Sequence, residues 1–180
     1  MKRTALSVLF VALGSSVLAE GPDAGCYARD YSAAHLAKHP KQVVDDVVLW
    51  IYEDELGNKL ADMDVTFAKQ GHVAASMFAG QTLNQFLLCF DSRGRAGCAV
   101  ECDGGAFVVV KDTPEAMTIE TEFLLVGDTE ECGGAVDMAE VPGKAVRYRL
   151  NRVAASQCEG LGQPFLATEP NADIEGDEDK

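Results

Sequence analysis

The apolar positions of this 180-residue chain fall in short runs bounded by turn residues, and the dominant period within the runs is two. That period sends successive side chains to opposite faces of a strand. Eight runs read as strands: 43–52, 60–68, 73–79, 83–90, 98–102, 107–111, 117–126 and 144–152. The first is rich in β-branched and aromatic residues and stops at the polar stretch Glu53-Asp54-Glu55-Leu56-Gly57-Asn58. Asp103-Gly104 between two apolar runs is a hairpin signal. In 117–126, Met117, Ile119, Thr121 and Phe123 share one face, and Thr118, Glu120 and Glu122 the other. The last run turns Val146, Tyr148 and Leu150 inward and Arg147, Arg149 and Asn151 outward. Arg147 and Arg149 are then placed to pair across strands with Glu120 and Glu122, at roughly 0.2 to 1 kcal/mol per pair. One short helix is expected over 32–38, capped by Ser32 and stopped by Pro40. No linker, low-complexity stretch or heptad repeat interrupts 20–167, which is the length of one domain. The pattern predicts a mainly β, single-domain antiparallel β-barrel of about eight strands, or a tightly curled sandwich, with a short N-terminal helix.

The ends of the chain add a compartment. Lys2 and Arg3 precede the apolar run 5–13, and Gly14-Ser15-Ser16-Val17-Leu18-Ala19 supplies small residues for cleavage after Ala19. We read 1–19 as a signal peptide, 20–167 as the barrel domain and 168–180 as a disordered acidic tail. The apolar run is too short to stay as a membrane anchor, no cysteine follows the cleavage site, and no later segment is apolar enough to span a bilayer. The expected location is periplasmic or secreted.

All six cysteines, Cys26, Cys89, Cys98, Cys102, Cys132 and Cys158, lie in the exported part, where an even count reads as structural disulfides. If their segment is extended, Cys98 and Cys102 sit roughly 13 Å apart, beyond disulfide reach. Cys89 and Cys98 flank a hairpin-like loop and are expected to bridge, and Cys26 to Cys158 would tie the ends. Paired Cys-x2-Cys zinc hooks are missing.

Cleavage would leave 13 basic residues against 29 acidic ones, a formal charge of −16. Such a balance excludes nucleic acid and anionic membrane surfaces as partners, since both need a basic footprint. It favours a cationic protein partner.

Catalytic chemistry is thinly marked. There is no Gly-x-Ser-x-Gly elbow, phosphate loop or dinucleotide fingerprint, and no cofactor is expected. No thiol is marked as a nucleophile, and the acidic tail lacks the ligand spacing of a calcium loop. His35 and His39, four apart on the predicted helix, form a potential metal pair for which His72 is the one remaining histidine. The Leu-Ala-Lys between them lacks the glutamate of a metalloprotease motif. Asp62 with Asp64, and Asp45 with Asp46, are formally available carboxylate pairs that read more simply as a solvated face.

Val48, Trp50 and Tyr52 share one face of the first predicted strand, and Val47, Leu49 and Ile51 the other, so both faces need cover, from packing or from a ligand cavity. A single Trp together with a late Arg, Arg149 or Arg152, resembles the way lipocalin-like barrels close one end. The Gly-x-Trp of true lipocalins is replaced by Val48-Leu49-Trp50, so the likeness implies a calycin-like architecture only. Trp50, Tyr52 and Arg149 are the ligand-binding candidates. The stretch 26–40, Cys-Tyr-Ala-Arg-Asp-Tyr-Ser-Ala-Ala-His-Leu-Ala-Lys-His-Pro, with Glu101-Cys102-Asp103-Gly104-Gly105, resembles segments of uncharacterised secreted proteins of proteobacteria, which implies export and a shared fold. The leading expectation is a non-enzymatic binding module for a small apolar molecule or a protein. Behind it stand a secreted inhibitor of a basic factor such as lysozyme, whose periplasmic inhibitors are similar in size and disulfide content, and a metal- or carboxylate-dependent hydrolase.

Overall fold

The computed structural model describes residues 21–127 and 134–162. The segments read as signal peptide and acidic tail, and Cys132, lie outside the described residues. Among the described residues the strands are β1 (Gly25–Asp30), β2 (Val44–Glu53), β3 (Lys59–Phe67), β4 (Thr82–Ser92), β5 (Arg95–Ala99), β6 (Gly105–Thr113), β7 (Ala116–Val126), β8 (Val136–Asp137), β9 (Val146–Arg152) and β10 (Glu159–Gly162). A helical turn, α1 (Ala33–Leu36), follows β1, and the Ser32 hydroxyl caps it by accepting from the His35 amide.

Strands β1 to β7 pair with their sequence neighbours, and β9 lies between β7 and β1, so eight antiparallel strands close into a ring. β8 is an appendage on the end of β7. Closure leaves no full-length free edge, which disposes of the usual aggregation hazard of a β-sheet. Tight turns join β2 to β3, β4 to β5 and β6 to β7 at one end. The long connections 31–43 and 68–81 lie at the other, with 134–145 beside them.

The inward positions carry the large apolar side chains, and the pattern along β2 shows why the barrel forms. Val47, Leu49 and Ile51 are buried within, while Val48, Trp50 and Tyr52 face out and are half-covered. The inward side chains of the ring, among them Tyr27, Met63, Leu87, Phe107, Ile119 and Tyr148, pack into one contiguous core. At roughly 1.5 to 3 kcal/mol for each large apolar side chain buried, this core is the main driving force for closure.

Both expected disulfides are present. Cys89 and Cys98 stand directly opposite on β4 and β5, Cα atoms 3.9 Å apart. Cys26 of β1 bonds Cys158, beyond β9, across 132 residues. Together with Leu161 of β10 they cover Val48 and Trp50 on the outside of the barrel. Cys102 is disulfide-bonded as well. Among the described residues, no helix is long and apolar enough to cross a membrane.

Four expectations need correction. The run 73–79 is no strand: Gly71–Val73 forms a 3-10 turn and the chain continues through further turns. Its small residues, Ala74-Ala75-Ser76, offer little to pack on a pleated face. The eighth strand is instead β1, whose alternation is short and broken by Arg29 and Asp30. Phe123 faces out, 42% exposed, because register shifts between β6 and β7 place a bulge ahead of it. The Thr121 hydroxyl fixes that bulge by donating to the Ala106 carbonyl and accepting from the Phe123 amide. The hairpin turn after β5 is centred on Cys102 and Asp103, both at positive φ, rather than on Asp103-Gly104. Glu120 does pair with Arg147, 2.5 Å apart, but Arg149 stands opposite Thr118 and bonds Asn151.

Candidate functional site

The ring is weakest where its first and last strands meet. β1 and β9 pair only at Tyr27↔Arg152 and Ala28↔Asn151, after which the two strands part. Arg29 and Asp30 stay paired to β2, and Val146 to Leu150 to β7, so the split lies between well-anchored strands. Backbone groups of an antiparallel strand point alternately to its two neighbours. The Arg152 amide bonds toward β7 and the Cys26 carbonyl accepts from Val153 on the β9 side. By the same alternation the peptide groups of Arg147 and Arg149 face the split.

A cleft of about 350 Å³ occupies this opening, lined by Arg29, Tyr31, His35, His39, Gln42, Glu140, Arg147, Tyr148 and Arg149. It reaches from the outer surface, where Arg147 and Arg149 are exposed, to inward side chains of the barrel mouth, where Tyr31 and Tyr148 are buried. One wall is a ladder of rings. Tyr31 and His35 lie 4.9 Å apart between centroids, and His35 stacks on His39 at 4.3 Å. The Arg29 guanidinium sits over the Tyr31 ring, 5.0 Å from its centroid. Burial pushes the Tyr31 hydroxyl above its ordinary range, with the charge of Arg29 opposing. Burial raises Tyr148 too, and its hydroxyl donates to the Met138 carbonyl at 2.8 Å.

The helical turn is fixed by glutamines. The buried Gln42 gives its amide N–H to the Val44 carbonyl, so its oxygen accepts from His35 Nε2 at 3.0 Å and sets that ring's tautomer. Gln70 reaches from the β3–β4 connection to the carbonyls of Leu36, His39 and Gln42. The Leu36 and His39 carbonyls also accept from the backbone amides of His39 and Gln42, so Gln70 pins the turns that follow α1. The Nε of Arg29 is buried and has no hydrogen-bond partner among the described residues.

The predicted site residues are only partly brought together. His35, His39 and Arg149 line the cleft, whereas His72 bonds the Ala139 carbonyl at 3.0 Å and ties one long connection to another. Among the described residues, no group of three His, Cys, Asp or Glu side chains is arranged to hold a metal. The rings of Trp50 and Tyr52 lie tilted against each other on the outer face, centroids 4.4 Å apart. Tyr52 donates to Asp62 at 2.8 Å, and Asp64 accepts from Asn84. Asp46 stands opposite Asp30, and burial together with the charges of Asp30, Asp45 and Asp64 raises its carboxyl above the ordinary range. Arg152 lies over the ring of Tyr27, 4.7 Å from its centroid, at the tight-turn end. Arg29, Tyr31, Gln42, Glu140 and Arg147 escaped the sequence reading as site residues, since only the meeting of β1 with β9 assembles them. No protein family matches the chain, and no curated protein or solved structure is similar to it.

Proposed function

We propose that the protein is a non-enzymatic, extracytoplasmic binding module that takes its ligand in the split between β1 and β9. The observation that carries this reading is the split itself, a cleft through the barrel wall that gathers three arginines and a ladder of rings in an otherwise acidic chain. The inward side chains of the ring are already packed against one another, which favours a site in the wall over one in the lumen. An oxidising compartment, periplasmic or extracellular, is supported by the Cys26–Cys158 and Cys89–Cys98 bonds. A calycin-like architecture is supported by the ring order and by Arg152 over Tyr27, an arginine of the last barrel strand on an aromatic residue of the first. In this reading Tyr27 takes the place proposed for Trp50.

Native mass spectrometry of the protein exported to a periplasm and gently purified tests the reading. We expect a bound small molecule whose mass is lost in an Arg147→Ala, Arg149→Ala variant that keeps its fold. A bare chain, or an occupant indifferent to those changes, would overturn the cleft as the site. A second reading, capture of a basic protein such as lysozyme, is supported by the outward row of Asp30 and Asp46 with Asp64 beside it. It requires salt-sensitive association with lysozyme that Asp30→Asn, Asp64→Asn weakens.

A further inference from the structure

We infer that the ligand of this cleft is a small organic monocarboxylate with a planar body, its carboxylate held by Arg29 and Arg149 and its body laid along the Tyr31–His35–His39 rings. The inference rests on the proposed binding role and goes beyond it to the chemical class.

Charge sets the first limit. Arg147 is neutralised by Glu120, and Glu140 offsets one of the two remaining guanidiniums. With the imidazoles set aside, the fixed charge left in the cleft is +1, which one carboxylate balances and a phosphate dianion exceeds.

Donor geometry sets the second. A guanidinium presents its N–H groups in a planar fork that matches a carboxylate taken side-on through Nε and one terminal nitrogen. Arg29 is held over Tyr31 with its buried Nε unpaired. A buried donor left without an acceptor is costly, and a small rotation of the guanidinium toward the cleft would pair it with such a ligand. Arg149, exposed at the rim with its Nη1 on Asn151, adds its remaining N–H groups, and the peptide N–H groups facing the split add neutral donors.

Shape sets the third. Tyr31, His35 and His39 give a continuous wall of rings, and about 350 Å³ admits a one-ring acid but not a folded peptide.

The test is a titration of the folded, 15N-labelled protein with benzoate, benzamide and inorganic phosphate, read on backbone amides and on the arginine Nε–H signals. We expect benzoate to give a saturable shift of the Arg29 and Arg149 Nε–H signals and of amides along 146–150. Benzamide, equal in shape but uncharged, should leave them unmoved. Arg29→Met should weaken benzoate about tenfold or more, as loss of a charged hydrogen-bond partner does. If that variant loses the native spectrum, the exposed Arg149→Ala gives the same reading with a smaller loss. Saturation by phosphate but not benzoate would overturn the monocarboxylate class and leave the cleft as the site. Benzoate shifts confined to the outer face around Trp50 would overturn both, and no saturable response to benzoate would overturn the present inference.

Discussion

Asp62 is only 3% exposed although it sits on an outward-facing row, and its carboxylate accepts from the Tyr52 hydroxyl. Burial raises its carboxyl above the ordinary carboxylate range, the Tyr52 bond pulls it down, and the charge of Asp64 raises it again. A carboxyl whose folded pKa is raised binds its proton more tightly in the native state. Its contribution to stability is therefore fully present below the unfolded pKa and is lost as pH rises through the folded one. Asp46 and Asp112 are raised as well, chiefly by burial, so all three favour mildly acidic conditions. Tyr52→Phe removes the one influence that stabilises charged Asp62. We expect a loss of about 1 to 3 kcal/mol at neutral pH that shrinks on acidification, measured by urea unfolding at several pH values. A deficit independent of pH would mean that the hydroxyl acts only through packing.

Strand by strand, what was legible followed from side-chain volume. β2, β3, β4, β7 and β9 announce themselves by large residues at alternate positions. β1 does not, because its polar Arg29 and Asp30 serve the split and the acidic row rather than the core. The bulge in β7 is also silent in the sequence, since Thr121 at its centre reads as an ordinary strand residue. It turns Phe123 outward to join Leu88, Ala99 and Ala106, which are register partners across β4 to β7. Gly97 in the neighbouring row shows how closely these strands approach. A Cβ there would stand 2.2 Å from the Phe107 carbonyl oxygen and 3.0 Å from the Phe90 ring. Since backbone cannot yield as a flexible side chain does, Gly97→Ala is expected to cost about 2 kcal/mol or more, read from the unfolding midpoint. An unchanged midpoint would show that β5 and β6 can separate freely.

At the scale of the whole molecule, Cys26–Cys158 and Cys89–Cys98 constrain the unfolded chain very differently. Cys26–Cys158 closes a loop of 132 residues and Cys89–Cys98 one of nine. Chain entropy puts their contributions at about 5 and about 2.5 kcal/mol. Replacing Cys26 and Cys158 by alanine should therefore lower stability by roughly twice as much as replacing Cys89 and Cys98, in calorimetry or denaturant titration. Equal losses would mean that local packing decides both. Cys89–Cys98 was legible because the two cysteines flank a loop between runs that the strand pattern pairs, and Cys26–Cys158 because they stand first and last among the six. The cleft could not be found that way, for it depends on where β1 and β9 cease to touch. The long bridge lies beside the short stretch where those strands still pair, like a rivet at the closed end of a partly opened zip. With it intact, the opening has a fixed depth and the wall remains a ring. Without it, the seam rests on two residue pairs, the Val153–Cys26 backbone bond and Arg152 on Tyr27, a short clasp between a ring and a ribbon with two adhesive margins.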